Sequence, residues 1–349
     1  MSDVVHRGFW GRIAPALTLV FLSPMIAEVL PGATRLSAIF VLPVEMGVWG
    51  VGALFIRAAV RRWRLGWRNL LLLALALALA EECVIQQTSL APMVLQIVKG
   101  PPYARDFGVN WLYLIWALGY ESTLAVILPV MLVELIFPAR RESPWLSGAG
   151  AAIGTVYFVI ASVMAWFSWI HYVRIQIFHM PPYAPPRTAM ATALALMALL
   201  VLAALGPTKR ILARPSRPLP APSAWSVGAF AFAVAVLWYG LVLLAFAIKP
   251  DFPPLAAATV GVAVAMAGLH FFPRWSADAR WNDRRSYAAV FGGIGGSMAA
   301  GFVGFIGATP FDLYGKIAVD ALAFVLLIVL GVKRLQAAPT QDRSEAPSK

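Results

Sequence analysis

From Leu70 to Ala80 the chain is leucine and alanine without a break. It runs directly into Glu81 and Glu82, with Cys83, Gln86, Gln87 and Thr88 close behind. With its flanks, this run can cross a hydrocarbon core of about 30 Å, which takes roughly 20 helical residues. Nothing in that core can satisfy a bare backbone, so the run must be helical. A carboxyl group there is expensive and marks a functional site by default. Two adjacent ones must be matched by what the other helices bring to meet them.

Similar apolar runs recur along the chain. Spans are predicted at roughly 11–30, 37–57, 69–89, 110–137, 145–171, 188–206, 224–248, 255–272, 286–307 and 314–332. The fold class is therefore an all-α, polytopic transmembrane helix bundle of about ten spans. Composition agrees, with 60% hydrophobic and only 13% charged residues, where a soluble domain carries about 25% charged. A net charge of +12 invites a nucleic-acid partner, but topology explains it better and no nucleic acid is expected. Of 28 Lys and Arg residues, 21 fall at the termini or in alternate loops. These include Arg57, Arg61, Arg62, Arg64 and Arg68, then Arg140 and Arg141, then Lys209, Arg210, Arg214 and Arg217, then Arg274, Arg280, Arg284 and Arg285. By the positive-inside rule this side is cytoplasmic, and so are both termini. The polar start, Met1 to Arg12, is expected to be an uncleaved lead into the first span. The bilayer is the first partner, and the expected location is a bacterial cytoplasmic membrane.

Four regions are expected. Residues 1–206 form a transmembrane half holding the buried carboxylates, five spans with a sixth at its end. Residues 207–223 are a Pro- and Arg-rich cytoplasmic linker, stiffened by Arg214-Pro-Ser-Arg-Pro-Leu-Pro-Ala-Pro222. Residues 224–335 form the second half, and 336–349 a disordered tail. Two halves of five spans would have inverted topology, a plan common among transporters. Outside, segment 90–98 is too short to span, and Pro101-Pro102-Tyr103 and Pro181-Pro182-Tyr183 read as extended loops.

The acids within spans are Glu28, Glu45, Glu81, Glu82, Glu121, Glu134 and Asp320, with no Lys or Arg placed deep among them. At 1.5 Å per residue, Glu81 lies about 18 Å from one end of its helix and Glu121 about 16 Å from the opposite end, so both sit near the midplane. Glu45 lies about 12 Å below the outer surface on the same scale. Glu28 and Glu134 are nearer span ends, where Arg35 and Arg57 respectively can reach them as structural ion pairs. Glu81, Glu82 and Glu121 have no such escape and must face the interior, a watery cavity or each other. Gln86, one helical turn past Glu82, joins them as a candidate ligand. The alternative is polar glue between helices. Hydrocarbon favours the neutral carboxyl, so at least one of the three is expected to be protonated at neutral pH.

Other signals are weaker. Pro24, Pro43 and Pro129 accompany these acids, and each frees a backbone carbonyl and bends its helix. Gly292 and Gly296 make a GxxxG pair suited to close helix packing. Trp10, Trp111, Trp145, Tyr172 and Trp225 fit interfacial belts. The histidines, His6, His171, His179 and His270, avoid the midplane, so no buried His–carboxylate metal site is predicted. The lone Cys83 excludes an internal disulfide, and no Cys/His spacing signals zinc.

Glu81-Glu82-Cys-Val-Ile-Gln86 resembles the EExxxR motif of the CAAX-protease and bacteriocin-processing (CPBP) intramembrane proteases, with Gln86 where that family has arginine. Phe167-Ser-Trp-Ile-His171 fits the family's FxxxH motif. The resemblance implies a hydrolase in which Glu81, beside Glu82, activates water and His171 helps complete the site. A longer stretch is similar to an uncharacterised family of bacterial multi-span proteins. It includes Gly119-Tyr120-Glu121-Ser122, Leu132-Val133-Glu134-Leu-Ile-Phe-Pro138 and Pro144-Trp145-Leu146.

Two functional readings follow. In the first, Glu81, Glu82, Gln86, Glu121 and Glu45 bind a proton, a cation or a cationic substrate in a transporter-like protein. In the second, the protein is a CPBP-like intramembrane hydrolase. A membrane scaffold or assembly factor is a third. The sequence specifies no cofactor, metal or oligomeric state. Cysteine labelling should place residues 58–68, 138–144, 207–222 and 273–285 in the cytoplasm; Arg214 and Arg284 on opposite sides would contradict the ten-span topology.

Overall fold

The computed structural model describes residues 9–92, 104–242 and 252–336. Most of segment 90–98, the stretch Pro101-Pro102-Tyr103, the end of the seventh predicted span and the tail beyond Gln336 lie outside them.

Among the described residues, eight helices are long and apolar enough to cross a membrane. They are α2 (Leu36–Arg62), α4 (Trp111–Ile136), α5 (Gly148–Ile177), α6 (Arg187–Leu205), α7 (Ala224–Val242), α8 (Pro254–Trp275), α9 (Asp283–Phe305) and α10 (Pro310–Gln336). Helical chain also occupies the other two predicted positions. There α1 (Phe9–Pro24) continues through Met25–Val29, and α3 (Trp67–Ala80) through Glu81–Ile85. The architecture is all-α and polytopic. Beyond the helices there is a minimal hairpin, Arg105–Asp106 against Val109–Asn110, between α3 and α4.

Side chains set several helix starts. Asn110 accepts from Tyr113 N at 3.0 Å, Ser147 from Gly150 N at 3.1 Å, and Asn282 from Arg285 N at 3.2 Å. Asn69 ties α3 to its neighbours, since its buried amide donates to Ala204 O at 2.7 Å and Lys209 O at 3.2 Å.

The six helices α1–α6 precede the linker and the four helices α7–α10 follow it. The linker falls after a sixth segment, α6, so the chain does not divide into two groups of five. The linker itself runs without helix from Arg214 to Pro222. Leu219 N donates to Arg274 O at 3.1 Å, and Arg285 Nε to Pro222 O at 2.7 Å, so it is strapped across the ends of α8 and α9.

Core and surface follow the membrane pattern. α1–α4 and α9 supply most of the buried side chains, while α5, α6, α8 and α10 expose long apolar faces such as Ile153, Leu199, Leu202, Met266 and Leu326. The GxxxG pair on α9 lies against α7. A Cβ at Gly292 would fall 2.1 Å from Gly228 O, and one at Gly296 2.7 Å from Phe232 O. Bare backbone there lets the two helices meet without a gap.

Two charge placements differ from expectation. Arg35 turns from Glu28 and donates to Gly304 O at 3.1 Å, its guanidinium 5.4 Å from the Phe305 ring centre. Lys316, one turn from Asp320 on α10, is buried and bonds it, along with Leu30 O at 2.6 Å, so Asp320 has its own cation inside the bundle. Trp145, read as a belt residue, is buried beneath Arg57 at 3.3 Å from its ring centre, whereas Trp111, Tyr172 and Trp225 are exposed.

Replacing Gly292 by Ala should force α7 and α9 apart at a cost of about 1–3 kcal/mol. Thermal unfolding in detergent should register a lower midpoint, while Gly268→Ala, where nothing lies within 4 Å of the new carbon, should leave it unchanged. Equal midpoints for the two variants would refute the packing.

Candidate functional site

The buried acids of the first four helices converge. Glu81, Glu82 and Glu121 are 3%, 2% and 6% exposed. Each offers a carboxyl oxygen to a group whose members all lie within 4.8 Å of one another. Glu121 lies within hydrogen-bonding reach of Glu81 and Glu82. A carboxyl–carboxyl hydrogen bond needs a proton on one partner. Glu28 and Glu45 stand close enough to this trio to repel it directly. Among the described residues, no Lys, Arg or His pairs with any of the five.

The backbone explains the convergence. Adjacent residues of an α-helix point about 100° apart, which would send Glu81 and Glu82 to different faces. Here residues Glu81–Ile85 form a wider turn, closed by Gln86 N donating to Glu81 O at 2.8 Å. Five residues between bonded groups narrow the angle between neighbours, so both side chains point inward. The same widening occurs at Met25–Val29, which contains Glu28, at Met46–Gly50 just after Glu45, and at Ser122–Ile127 just after Glu121. Wide turns of this sort gather at functional sites.

The prolines take part in this arrangement. Pro129 cannot donate to Ala125 O four residues back, and Ser23 Oγ takes that carbonyl at 2.6 Å. Tyr157 OH donates to Pro43 O at 2.5 Å. Tyr120 OH donates to Ala27 O inside the widened turn of α1. These bonds lock the bent helices together around the acids.

After Gln86 the helix stops, because Gln87 adopts φ +59°. That left-handed residue turns the chain so that Ser89 Oγ donates to Glu82 Oε2 at 2.6 Å. The turn is held from outside. Arg105 donates to Leu90 O at 2.5 Å and Ala91 O at 3.0 Å, Tyr183 OH to Leu90 O at 2.7 Å, and the buried Arg174 to Pro92 O at 2.8 Å. Tyr113, Trp116, Tyr120 and Tyr239 form a connected aromatic wall beside the acids, with Trp116 stacked on Tyr120 at 4.5 Å.

The predicted residues fare unequally. Glu81, Glu82 and Glu121 come together, and Glu45 stands close enough to repel Glu81, its Oε1 accepting from Thr34 Oγ1 at 2.5 Å. Gln86 contributes its backbone to the wide turn and is only half-buried. Arg57 Nε lies 3.3 Å from Glu134 Oε1, but Arg61 grips that carboxylate with two bonds of 2.7 Å. Glu28, expected at a surface ion pair, belongs with the acids. Ser89, Thr34 and Tyr113 were not foreseen. His171 is exposed on α5 and meets only the Trp166 and Phe167 rings, at 4.8 and 5.7 Å, among the described ring contacts. His179 and His270 are also exposed, so none of the described histidines faces Glu81 as the hydrolase resemblance required.

Chemically, three ionised carboxylates cannot share so small a volume away from water. They need protons or a cation. The oxygens of Glu81, Glu82 and Glu121 are close enough to hold one small ion, and Glu121 Oε2 is buried without a hydrogen-bond partner. Comparisons with protein-family models, characterised proteins and solved structures found no match.

A hydrophobic carbodiimide, which attacks protonated carboxyls within membranes, should modify Glu81, Glu82 or Glu121, and high pH or a competing cation should reduce the labelling. The exposed Glu142 should react poorly. Mass spectrometry finding adducts on Glu142 alone would contradict the protonated site.

Proposed function

We propose that this chain is a multi-pass protein of a bacterial cytoplasmic membrane that handles a proton or small cation at its carboxyl site, in the manner of a transporter. The observation that carries the reading is the group formed by Glu81, Glu82 and Glu121. Three carboxyls are enclosed within 4.8 Å of one another, and no described basic side chain pairs with them. Helix glue would be built more cheaply from amides or hydroxyls, which carry no charge to neutralise. The protein evidently can neutralise acids, because Glu134 has two arginines and Asp320 has Lys316. Among the described residues, the five glutamates left without a base lie on or directly before the widened turns. A site of this kind is balanced only by a positive species that comes from outside the chain, and it releases that species when another replaces it.

Purified protein in liposomes with a trapped pH-sensitive dye tests the proposal. A negative-inside potassium diffusion potential should draw protons inward through the wild type. Glu81→Gln and Glu121→Gln keep shape and hydrogen bonding, and should cut the flux by roughly a hundredfold, the usual worth of a positioned proton-transfer group. Wild-type liposomes as tight as empty ones, or variants as active as wild type, would refute the proposal.

A further inference from the structure

A small cleft opens between the α1–α2 turn and α10, lined by Thr34, Arg35, Asp312, Gly315 and Lys316 among others. Its volume is about 10 Å³, room for about one water molecule. Its charged lining is Arg35, Lys316 and Asp312, and Lys316 is paired with Asp320 behind it. An organic cation is too large for it, and a lining with one carboxylate, Asp312, beside two cations is a poor entrance for a metal dication. Thr34 joins this cleft to the acids. Its side chain lines the cleft, the residue is 8% exposed, and its hydroxyl donates to Glu45 Oε1 at 2.5 Å. The other oxygen of that carboxyl, Oε2, is buried with no partner. Glu45 is close enough to repel Glu28 and Glu81, and Glu28 close enough to repel Glu81 and Glu82. The groups facing Glu45 from its neighbours are thus Thr34, Glu28 and the trio, with Tyr157 of α5 bonded to Pro43 O close by.

We propose that protons reach the carboxyl site from this cleft through the Thr34 hydroxyl and the Glu45 carboxyl, and that the ion exchanged at the site is the proton. The inference rests on the carboxyl-site reading above and adds the identity of the ion and its path. A hydronium ion in the cleft gives a proton to Thr34 Oγ1 while that hydroxyl passes its own proton to Glu45 Oε1. One O–H bond breaks on each donor, one forms on each acceptor, water remains in the cleft, and the Glu45 carboxylate is neutralised. Rotation of the carboxyl group carries the new O–H to the buried side, where that bond breaks as one forms on a carboxylate oxygen of Glu28, and the Thr34 hydroxyl turns back to the cleft.

A pH jump followed by time-resolved infrared spectroscopy of the protonated-carboxyl band tests the path. Thr34→Val keeps the side chain's shape and removes the hydroxyl. It should slow the band's rise on the order of a hundredfold with the same final amplitude, and Thr34→Ser should restore the rate. If Thr34→Val does not fold, Thr34→Ala carries the same expectation. An unchanged rate in the hydroxyl-free variant overturns the path and leaves the carboxyl site standing. No pH-dependent carboxyl band in the wild type, or one whose amplitude ignores both Glu81→Gln and Glu121→Gln, overturns the site and the path together.

Discussion

A carboxyl group inside hydrocarbon must have a proton, a cation or water, and everything at the centre of this protein follows from that requirement. Glu134 and Asp320 meet it with arginines and a lysine supplied by the chain. Glu28, Glu45, Glu81, Glu82 and Glu121 do not. They are brought together by four helices, and a hydrogen bond between the closest of them would itself require a proton. The fold therefore stores a deficit of positive charge in one place. Its helices are fastened by neutral bonds, such as Ser23 to Ala125 O and Tyr120 to Ala27 O, so these fastenings do not depend on how that deficit is met.

The backbone achieves this through local irregularity. Four widened turns sit beside the acids, on α1 to α4, and a proline lies within a few residues of three of them. A regular helix would scatter adjacent carboxyls around its circumference. The widened turn aims them to one side, and the carbonyls freed by proline become acceptors for the neighbouring helix. The second group of helices acts mainly as support. α7 and α9 meet through bare glycine backbone, and α7 brings Tyr239 to the aromatic wall. α10 brings Lys316 to brace the α1–α2 turn through Leu30 O.

Much of this was legible in the residues. Apolar runs and loop arginines are repeated, local signals, so helix positions could be read directly. The midplane acids stood out because their cost depends on depth alone. What escaped was whatever depends on how the chain leaves a helix. Ser89 follows Glu82 by two helical turns in sequence, yet it reaches the carboxyl because Gln87 reverses the backbone, and no residue type announces a positive φ at glutamine. Glu28 and Arg35 looked like natural partners by spacing. The turn between them sends the arginine to Gly304 and Phe305, more than two hundred residues away in sequence, which no local pattern encodes. The spacing of Phe167 and His171 says nothing of which way the histidine points, and the structure places it exposed on α5.

The central claim is that the enclosed glutamates are balanced by protons the chain does not neutralise. The most direct measurement is the static infrared spectrum of the protein at neutral pH, compared with Glu81→Gln, Glu82→Gln and Glu121→Gln. The account predicts a band from buried, protonated carboxyls that loses intensity in at least one variant and survives Glu134→Gln unchanged. A wild-type spectrum with no protonated-carboxyl band and no bound cation to replace it would contradict the account.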